Sequence, residues 1–198
     1  MRFLARFGMT QGYCKGFLCV LSACAVNAFY GIIPPMSATT TALAMQLGQR
    51  LLERGLMIAT AESCTGGMVA AALTDIAGSS GWFERGFVTY SNEAKAELLL
   101  VPPETIADHG AVSEAVARAM ADGALLESRA QLAIAVTGIA GPGGAMPGKP
   151  VGTVCFAWAQ EGAPTASETL HFDGDRAAVR LRSVTHALGG ALLRVLAE

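Results

Sequence analysis

Short apolar runs suited to buried strands alternate with helical patterns along residues 37–198, and this alternation limits the possible folds more than any other feature. Leu43, Leu47 and Leu51 are spaced four residues apart among polar residues, which predicts an amphipathic helix, and Gly55 is placed to end it. Alternating strands and helices are typical of an α/β sandwich with helices on both faces of its sheet. The sequence therefore predicts this fold class.

The predicted strands are short, and the last ones follow one another without a helix between them. The residues expected in strands are 56–60, 86–90, 132–137, 152–159 and 167–172, the last near an edge of the sheet. Further helices are expected after Gly67 to about residue 77, from 91–92 to about 100 before Pro102 and Pro103, from 113 to 127, and after Asp175. The consecutive strands after residue 150 indicate a mixed sheet.

The first 36 residues differ in composition from the rest of the chain. They contain three cations and no acid, and residues 16–33 form a nearly uncharged apolar stretch. Four interpretations stay open: a signal peptide, a membrane anchor, an ordered extension, or a start site placed too early, with translation beginning at Met36. We therefore divide the chain into an extension at 1–36 and a domain at 37–198. No membrane association is expected unless residues 16–33 are a real anchor.

The balance of charge and the spacing of cysteines exclude several classes of function. The formal net charge is −2, from 14 Lys and Arg against 16 Asp and Glu, whereas a nucleic-acid-binding protein normally shows a basic excess. The five cysteines have no CxxC spacing, and no His/Cys/Asp cluster has metal-ligand spacing, so we expect no metal and no other cofactor. The three histidines are scattered, which argues against a Ser-His-Asp triad.

One candidate nucleophile follows the first predicted strand. Ser63 stands where that strand ends and the next helix begins, a place where free backbone N–H groups can hold an anion or an oxyanion. Ser and Thr are also favoured helix caps, so an ordinary cap stays open as an alternative. The neighbouring Cys64 is a second candidate, but it has no evident His partner, and a buried packing cysteine is the commoner case.

A lysine near the start of a predicted helix is the second unusual feature. If Asn92 begins that helix, Lys95 lies in its first turn, where the helix dipole disfavours a cation. Residues 37–198 contain two lysines, Lys95 and Lys149, against nine arginines. A buried lysine can lose its proton and act as a base, whereas arginine cannot. The pattern indicates a base at Lys95, with an ordinary surface lysine as the alternative.

A glycine-rich loop follows the third predicted strand. Residues 137–144 read TGIAGPGG, a type of backbone that can wrap a phosphate or a planar ring. The segment is neither a Walker A loop nor a G-x-G-x-x-G fingerprint. Because many loops are rich in glycine, the loop indicates a binding site only in combination with the other two segments.

Five motifs in chain order make the sequence recognisable. They are TAESCTGG at 60–67, DIAGSSGWFERGFVTYSNEAK at 75–95, HGAVSEAVA at 109–117, AVTGIAGPGG at 135–144 and KPVGTV at 149–154. Together they resemble the CinA C-terminal domain family, the nicotinamide mononucleotide deamidases called PncC. The resemblance implies a three-layer α/β/α sandwich with a mixed, mostly parallel five-stranded sheet. It also implies a cytoplasmic location and allows a homodimer, and residues 1–36 have no counterpart in it.

The resemblance further implies a reaction and a site. The reaction is hydrolysis of the carboxamide of nicotinamide mononucleotide to nicotinate mononucleotide and ammonia, by a Ser/Lys mechanism without metal. Ser63 corresponds to the nucleophile, Lys95 to the base, and Tyr90 to a residue that relays a proton or positions Lys95. Amides of the helix that follows Ser63 would hold the tetrahedral oxyanion. The expected substrate-binding residues are Glu62, Thr65, Gly66, Gly67, Asn92, Thr137, Gly138, Ala140 and Gly141.

Several assignments stay open at this point. The substrate phosphate would bind to the glycine loop or to an arginine such as Arg85, and Glu62 would sense the positive charge of the ring or orient Lys95. The alternatives to a deamidase are a catalytically silent nucleotide-binding or regulatory module and a Ser/Lys amidase acting on another small amide. The loop GGAMPGKP at 143–150 departs from the more polar versions of the family, which puts the predicted loop contacts in question.

Overall fold

The computed structural model describes residues 37–197, so the interpretations offered for residues 1–36 lie outside the described part of the chain. Within residues 37–197, no helix is both long enough and apolar enough to span a bilayer. The elements are α1 Ala38–Arg54, β1 Ile58–Glu62, α2 Met68–Thr74, a 3₁₀ turn Ser79–Gly81, β2 Phe83–Val88, α3 Asn92–Leu99, α4 Pro103–His109, α5 Glu114–Leu126, β3 Leu132–Gly138, β4 Thr153–Gln160, β5 Ala166–His171 and α6 Arg176–Leu196.

The five strands form one mixed sheet in the order β2-β1-β3-β4-β5. β1 pairs in parallel with both β2 and β3, while β4 pairs antiparallel with β3 and with β5. Four strands therefore run in one direction and β4 runs against them. The predicted mixed five-stranded sheet is confirmed, and so is the edge position of its last strand.

Helices cover both faces of the sheet because the strands place alternate side chains on opposite sides. Ile134 and Val136 of β3 join the core formed with α1, α2 and α6, whereas Ala133 and Ala135 join the core formed with α5. β3 and β4 are buried along almost their whole length, as expected for strands covered on both sides. This arrangement confirms the predicted three layers.

Most helix ends lie where the sequence places them. Ser91 and Asp175 cap α3 and α6 by accepting a backbone N–H, and Gly55 ends α1 in the left-handed conformation at φ 64°. Helix α4 was not predicted. Pro102 and Pro103 indicate a stop for the preceding helix, but proline at the first position of a helix also favours its start, and Pro103 begins α4.

The second strand begins and ends earlier than predicted. We expected residues 86–90, whereas β2 spans Phe83–Val88. β2 is an edge strand that exposes part of its length, so its first half lacks the continuous apolar run that marks a buried strand. Tyr90 consequently lies beyond the strand, in the segment that leads into α3. Because β1, β2 and β3 are parallel, their carboxyl ends meet at one edge of the sheet, and all three candidate segments follow them.

Candidate active site

Ser63 is held at the carboxyl end of β1 by backbone hydrogen bonds on both sides. Its amide donates to the carbonyl of Val136 at 2.9 Å, which ties it to the end of β3. Its carbonyl accepts from the amide of Gly66 at 3.1 Å, which closes a tight turn. Only 8% of Ser63 is exposed. The serine therefore has a fixed backbone and a narrow opening to solvent.

Lys95 lies across from Ser63 and is fully buried. Its Nζ is 3.1 Å from Ser63 Oγ, 2.9 Å from the carbonyl oxygen of Thr89 and 3.4 Å from that of Ser91. The first turn of α3 places it there, because Ser91 caps the helix and Thr89 is anchored through its amide to the carbonyl of Glu62. The structure thus brings the two predicted catalytic residues into hydrogen-bond contact.

The surroundings of Lys95 favour its neutral form. Burial lowers the pKa of the Lys95 amine below its ordinary value, and the negative charge of Glu93 offsets only part of that effect. Among residues 37–197, no carboxylate forms an ion pair with it. A neutral amine has two N–H groups and one lone pair, so the carbonyls of Thr89 and Ser91 can accept both hydrogens. The lone pair is then left for the Ser63 hydroxyl, as a general base requires.

Glu62 has a role that the sequence did not predict. Its buried carboxylate accepts three backbone N–H groups at the start of α2: those of Gly67 and Val69 on Oε2, at 3.0 Å each, and that of Ala70 on Oε1 at 2.8 Å. A carboxylate at this position satisfies the free amides of the helix and is stabilised by its dipole. Glu62 is thus the cap of α2, and its predicted contact with the substrate or with Lys95 stays a prediction.

We expect Glu62→Gln to destabilise the fold. The glutamine amide keeps one acceptor for three donors and loses the charge, so the free energy of unfolding should fall by about 2 kcal/mol. Urea denaturation measures the change, and Glu97→Gln on the exposed side of α3 is the matched control, expected to be neutral. Equal stability of the two variants would contradict the capping role.

Because Glu62 binds amides at the start of α2, these amides are not available as oxyanion donors. The amides of Gly67, Val69 and Ala70 are taken by Glu62, and those of Gly66 and Met68 donate to the carbonyls of Ser63 and Thr65. Among the described residues, the amides of Cys64 and Thr65 have no hydrogen bond to another residue. The amides at the start of the helix are therefore engaged, and the amides of Cys64 and Thr65 in the turn before it are the ones left for the predicted oxyanion contact.

The surroundings of Cys64 argue against a role as the nucleophile. Burial raises the pKa of the Cys64 thiol to about 12, so the group stays protonated at neutral pH. The thiolate is the reactive form of cysteine. The side chain packs instead in the core formed with α1, α2 and α6, which agrees with the packing alternative.

Tyr90 is at the surface of the site and contacts an arginine that the sequence did not single out. The residue is 63% exposed, and its hydroxyl accepts from Nη2 of Arg176 at 3.2 Å. Arg176 also donates from Nη1 to the carbonyl of Gly141 at 2.9 Å. No hydrogen bond joins Tyr90 to Lys95 or Ser63 in the described part of the chain, so its proton-relay role stays a prediction.

The glycine-rich segment lies at the end of β3, beside Ser63. Thr137 is buried and its hydroxyl donates to the carbonyl of Ala111 at 2.8 Å, while Ala140 is buried in the core. A Cβ on Gly138 would lie 2.8 Å from the carbonyl oxygen of Thr153, so this glycine is required for the close approach of β4. The structure places the segment where we expected it, and the contacts it shows are with the protein itself.

The other predicted substrate-binding residues lie in the turn after Ser63 and at the start of α3. Gly66 and Gly67 have positive φ angles of 59° and 94°, which the turn before α2 requires. The Thr65 hydroxyl is buried and has no hydrogen-bond partner within residues 37–197. Asn92 is exposed and lines a groove of about 520 Å³ between α3 and α4.

Arg85 is too far along its strand to serve the site. It pairs in register with Ala59, three residues before the end of β1, and binds the carboxylate of Glu84 and the carbonyl of Glu127. The suggestion that Arg85 holds a phosphate is therefore not supported. The site contains Arg176 and Arg180 of α6 instead, and Arg180 donates to the carbonyls of Cys64 and Thr65. A signal for Arg176 was available in the sequence, because it is a cation at the first position of a helix, where the dipole disfavours it. Arg180 lies in the second turn and gave no such signal.

Comparisons with known proteins identify the family. The sequence model of the CinA C-terminal domain matches residues 40–195. The chain is 56% identical over 146 residues to the nicotinamide-nucleotide amidohydrolase PncC of Escherichia coli K12, covering 74% of this chain and 88% of that protein. It is 57% identical over 154 residues to a competence-damage inducible protein of Symbiobacterium thermophilum, covering 74% of this chain. It spans 36% of the length of that relative.

A solved structure agrees with this result. The competence/damage inducible protein CihA of Agrobacterium tumefaciens superposes with a TM-score of 0.79 at 44% sequence identity, over 82% of this chain and 99% of that chain. The same region of the chain is covered by the solved structure, by the similar sequences and by the family model. The chain therefore belongs to the CinA C-terminal domain family.

Proposed function

We propose that this protein hydrolyses the carboxamide of nicotinamide mononucleotide to nicotinate mononucleotide and ammonia. The observation that carries the proposal is the buried Lys95 amine 3.1 Å from Ser63 Oγ, which pairs a nucleophile with a base in a chain closely similar to nicotinamide-nucleotide amidohydrolases. A nucleotide-binding module without catalysis would have no need of a buried lysine held against a serine, because burying an amine costs free energy. This arrangement favours the enzyme over the silent module.

The proposed reaction proceeds through an acyl-enzyme. Ser63 Oγ attacks the carbonyl carbon of the carboxamide while Lys95 Nζ takes the hydroxyl proton. The carbonyl oxygen becomes an oxyanion, for which the amides of Cys64 and Thr65 are the available donors. The C–N bond then breaks, and the Lys95 ammonium returns the proton to the leaving nitrogen, which departs as ammonia. Lys95 acts directly here, since among the described residues no hydrogen bond joins the Tyr90 hydroxyl to Lys95 or Ser63.

The second half of the reaction uses the same residues in reverse order. Lys95 takes a proton from water, whose oxygen attacks the ester carbonyl, and the same two amides hold the second oxyanion. The ester bond breaks, Ser63 recovers its proton from Lys95, and the carboxylic acid formed releases its remaining proton to solvent as it leaves as a carboxylate. Lys95 transfers the protons of the serine hydroxyl, the leaving nitrogen and the attacking water, and it must therefore be neutral when each half begins.

The substrate's phosphate needs a cation at the mouth of the site. Arg176 has an exposed guanidinium with five N–H donors, of which the carbonyl of Gly141 and the hydroxyl of Tyr90 engage two. The remaining donors suit a phosphate, to which arginine binds in a bidentate manner. Such a charged substrate is confined to the compartment where it is made, and we propose a cytoplasmic location for the enzyme on this basis.

The decisive experiment measures ammonia release from nicotinamide mononucleotide by the full chain, with and without EDTA. We expect one ammonia for each nicotinate mononucleotide formed and the same rate in EDTA. Nicotinamide and nicotinamide riboside, which lack the phosphate, should be hydrolysed with a much lower kcat/KM. A folded protein that binds the nucleotide but releases no ammonia would contradict the proposal in favour of the silent module. Faster hydrolysis of another small amide would indicate a different amidase.

A further inference from the structure

Arg180 of α6 binds the backbone of the turn that carries the nucleophile. Its Nε donates to the carbonyl of Cys64 at 3.1 Å and its Nη2 to the carbonyl of Thr65 at 2.7 Å. Within residues 37–197, no carboxylate forms an ion pair with this guanidinium. Arg180 places two of its donors on one turn instead of on an acidic partner, and these two bonds call for a reason of their own.

The two carbonyls determine the direction of neighbouring amides, because each peptide unit is planar and trans. The Cys64 carbonyl shares its peptide plane with the Thr65 N–H, which points the opposite way. The Thr65 carbonyl shares its plane with the Gly66 N–H, which donates to the Ser63 carbonyl at 3.1 Å. The Ser63 carbonyl in turn shares its plane with the Cys64 N–H. Three consecutive peptide planes are thus held by Arg180 and by one turn bond.

This arrangement leaves two oriented donors next to the nucleophile. The carbonyls of Ser63, Cys64 and Thr65 are all engaged, while the amides of Cys64 and Thr65 donate to no other residue in the described part of the chain. We propose that Arg180 is a positioning residue that orients the Thr65 amide as an oxyanion donor. This inference rests on the proposed function, since it gives these two amides a part in the hydrolysis of the carboxamide.

The guanidinium is required for its shape as well as for its charge. Nε and Nη2 lie on one edge of a planar group and bind two carbonyls at once, whereas a lysine ammonium is a point donor on a flexible chain. Losing an oxyanion donor costs about 10²–10³ in kcat, and misdirecting one should cost less, about 10–100-fold. Since only the transition state carries the oxyanion, KM should change little.

The test compares Arg180→Lys and Arg180→Ala with Arg182→Ala, using the full chain and nicotinamide mononucleotide. Arg182 is an exposed arginine on the same helix, which donates to the carbonyl of Asp173, and its variant should match the wild type. We expect both Arg180 variants to lose about 10–100-fold in kcat, with KM within about threefold. The pH profile should not move, because Arg180 does not contact Lys95. Free guanidinium should restore part of the kcat of Arg180→Ala, which a purely structural role does not predict.

Several results would overturn the inference. These are a wild-type kcat in Arg180→Lys, a loss confined to KM, a shifted pH profile, or no rescue by guanidinium. If Arg180→Ala melts below the assay temperature, Arg180→Lys decides the question at a temperature where its melting curve shows it to be folded. If the wild type releases no ammonia, the proposed function fails. If the wild type is active and the Arg180 variants match it, only the inference fails.

Discussion

Ser63→Ala, Lys95→Met and the double variant are all expected to lose kcat by the same factor, roughly 10⁴-fold or more. The reason is that the two residues act as one unit. Without the amine the serine hydroxyl keeps its proton, and without the hydroxyl the amine has no nucleophile to activate. Methionine retains most of the apolar stem of the lysine and fills the buried space. The measurement is ammonia release from nicotinamide mononucleotide at saturating substrate.

Lys149→Met is the matched control for this comparison. Lys149 is the other lysine of the domain, and its Nζ donates to the carbonyl of His109 at 2.8 Å in an exposed position. Its replacement makes the same change of side chain, from lysine to methionine, and should leave kcat unchanged. A Lys95→Met variant as active as Lys149→Met would show that Lys95 is not the base. A double variant far slower than either single variant would show that the two residues act independently.

The pH dependence follows from the same lysine. Burial lowers the pKa of Lys95, and the neutral amine is the active form, so kcat/KM should rise with pH through the pKa of the folded state and then level off. Stability should also rise with pH between the folded and unfolded pKa values of Lys95, because the unfolded chain binds the proton more tightly in that range. Lys95→Met should remove this contribution, and its melting temperature should therefore depend less on alkaline pH than that of the wild type.

Much of the fold could be predicted because periodicity is a local property. The buried strands β3 and β4 are continuous apolar runs, and α1 and α6 have regular apolar spacing with recognisable caps. The predicted range of the edge strand β2 was shifted along the sequence because a strand with one exposed side lacks such an apolar run. Helix α4 was missed because its proline pair is equally compatible with the end of one helix and the start of the next.

The candidate site could be predicted only in part from the sequence, and for a different reason. Ser63 and Lys95 lie 32 residues apart, in segments that follow adjacent parallel strands, so the topology alone brings them together. Arg180 lies 115 residues after Thr65, and its sequence context resembles any amphipathic helix surface. The capping role of Glu62 was not predicted because it depends on three amides at the start of the following helix, which no side-chain pattern reveals. Hydrogen bonds to backbone groups cannot be predicted from residue types, because every residue has the same backbone groups.

Gly190→Ala is expected to destabilise the fold by about 1–3 kcal/mol, whereas Gly189→Ala, one residue earlier on the same helix, should stabilise it by about 0.5–1 kcal/mol. A Cβ on Gly190 would lie 2.2 Å from Cζ2 of Trp158, well inside contact distance. The indole cannot give way easily. It is 1% exposed, its Nε1 donates to the carbonyl of Ala187 at 2.9 Å, and Arg194 stacks on its face at 4.2 Å.

Gly189 separates the effect of packing from the effect of the backbone. Nothing lies within 4 Å of a Cβ at this position, so alanine there only reduces the backbone freedom of the unfolded chain. Both substitutions make the same change in the same helix, and the difference between them therefore measures the contact of α6 with Trp158. Urea denaturation of the two variants and the wild type gives that difference. Equal free energies of unfolding for the two variants would mean that α6 shifts away from Trp158 at little cost. The contact would then not be a rigid constraint on the layer formed by α1, α2 and α6.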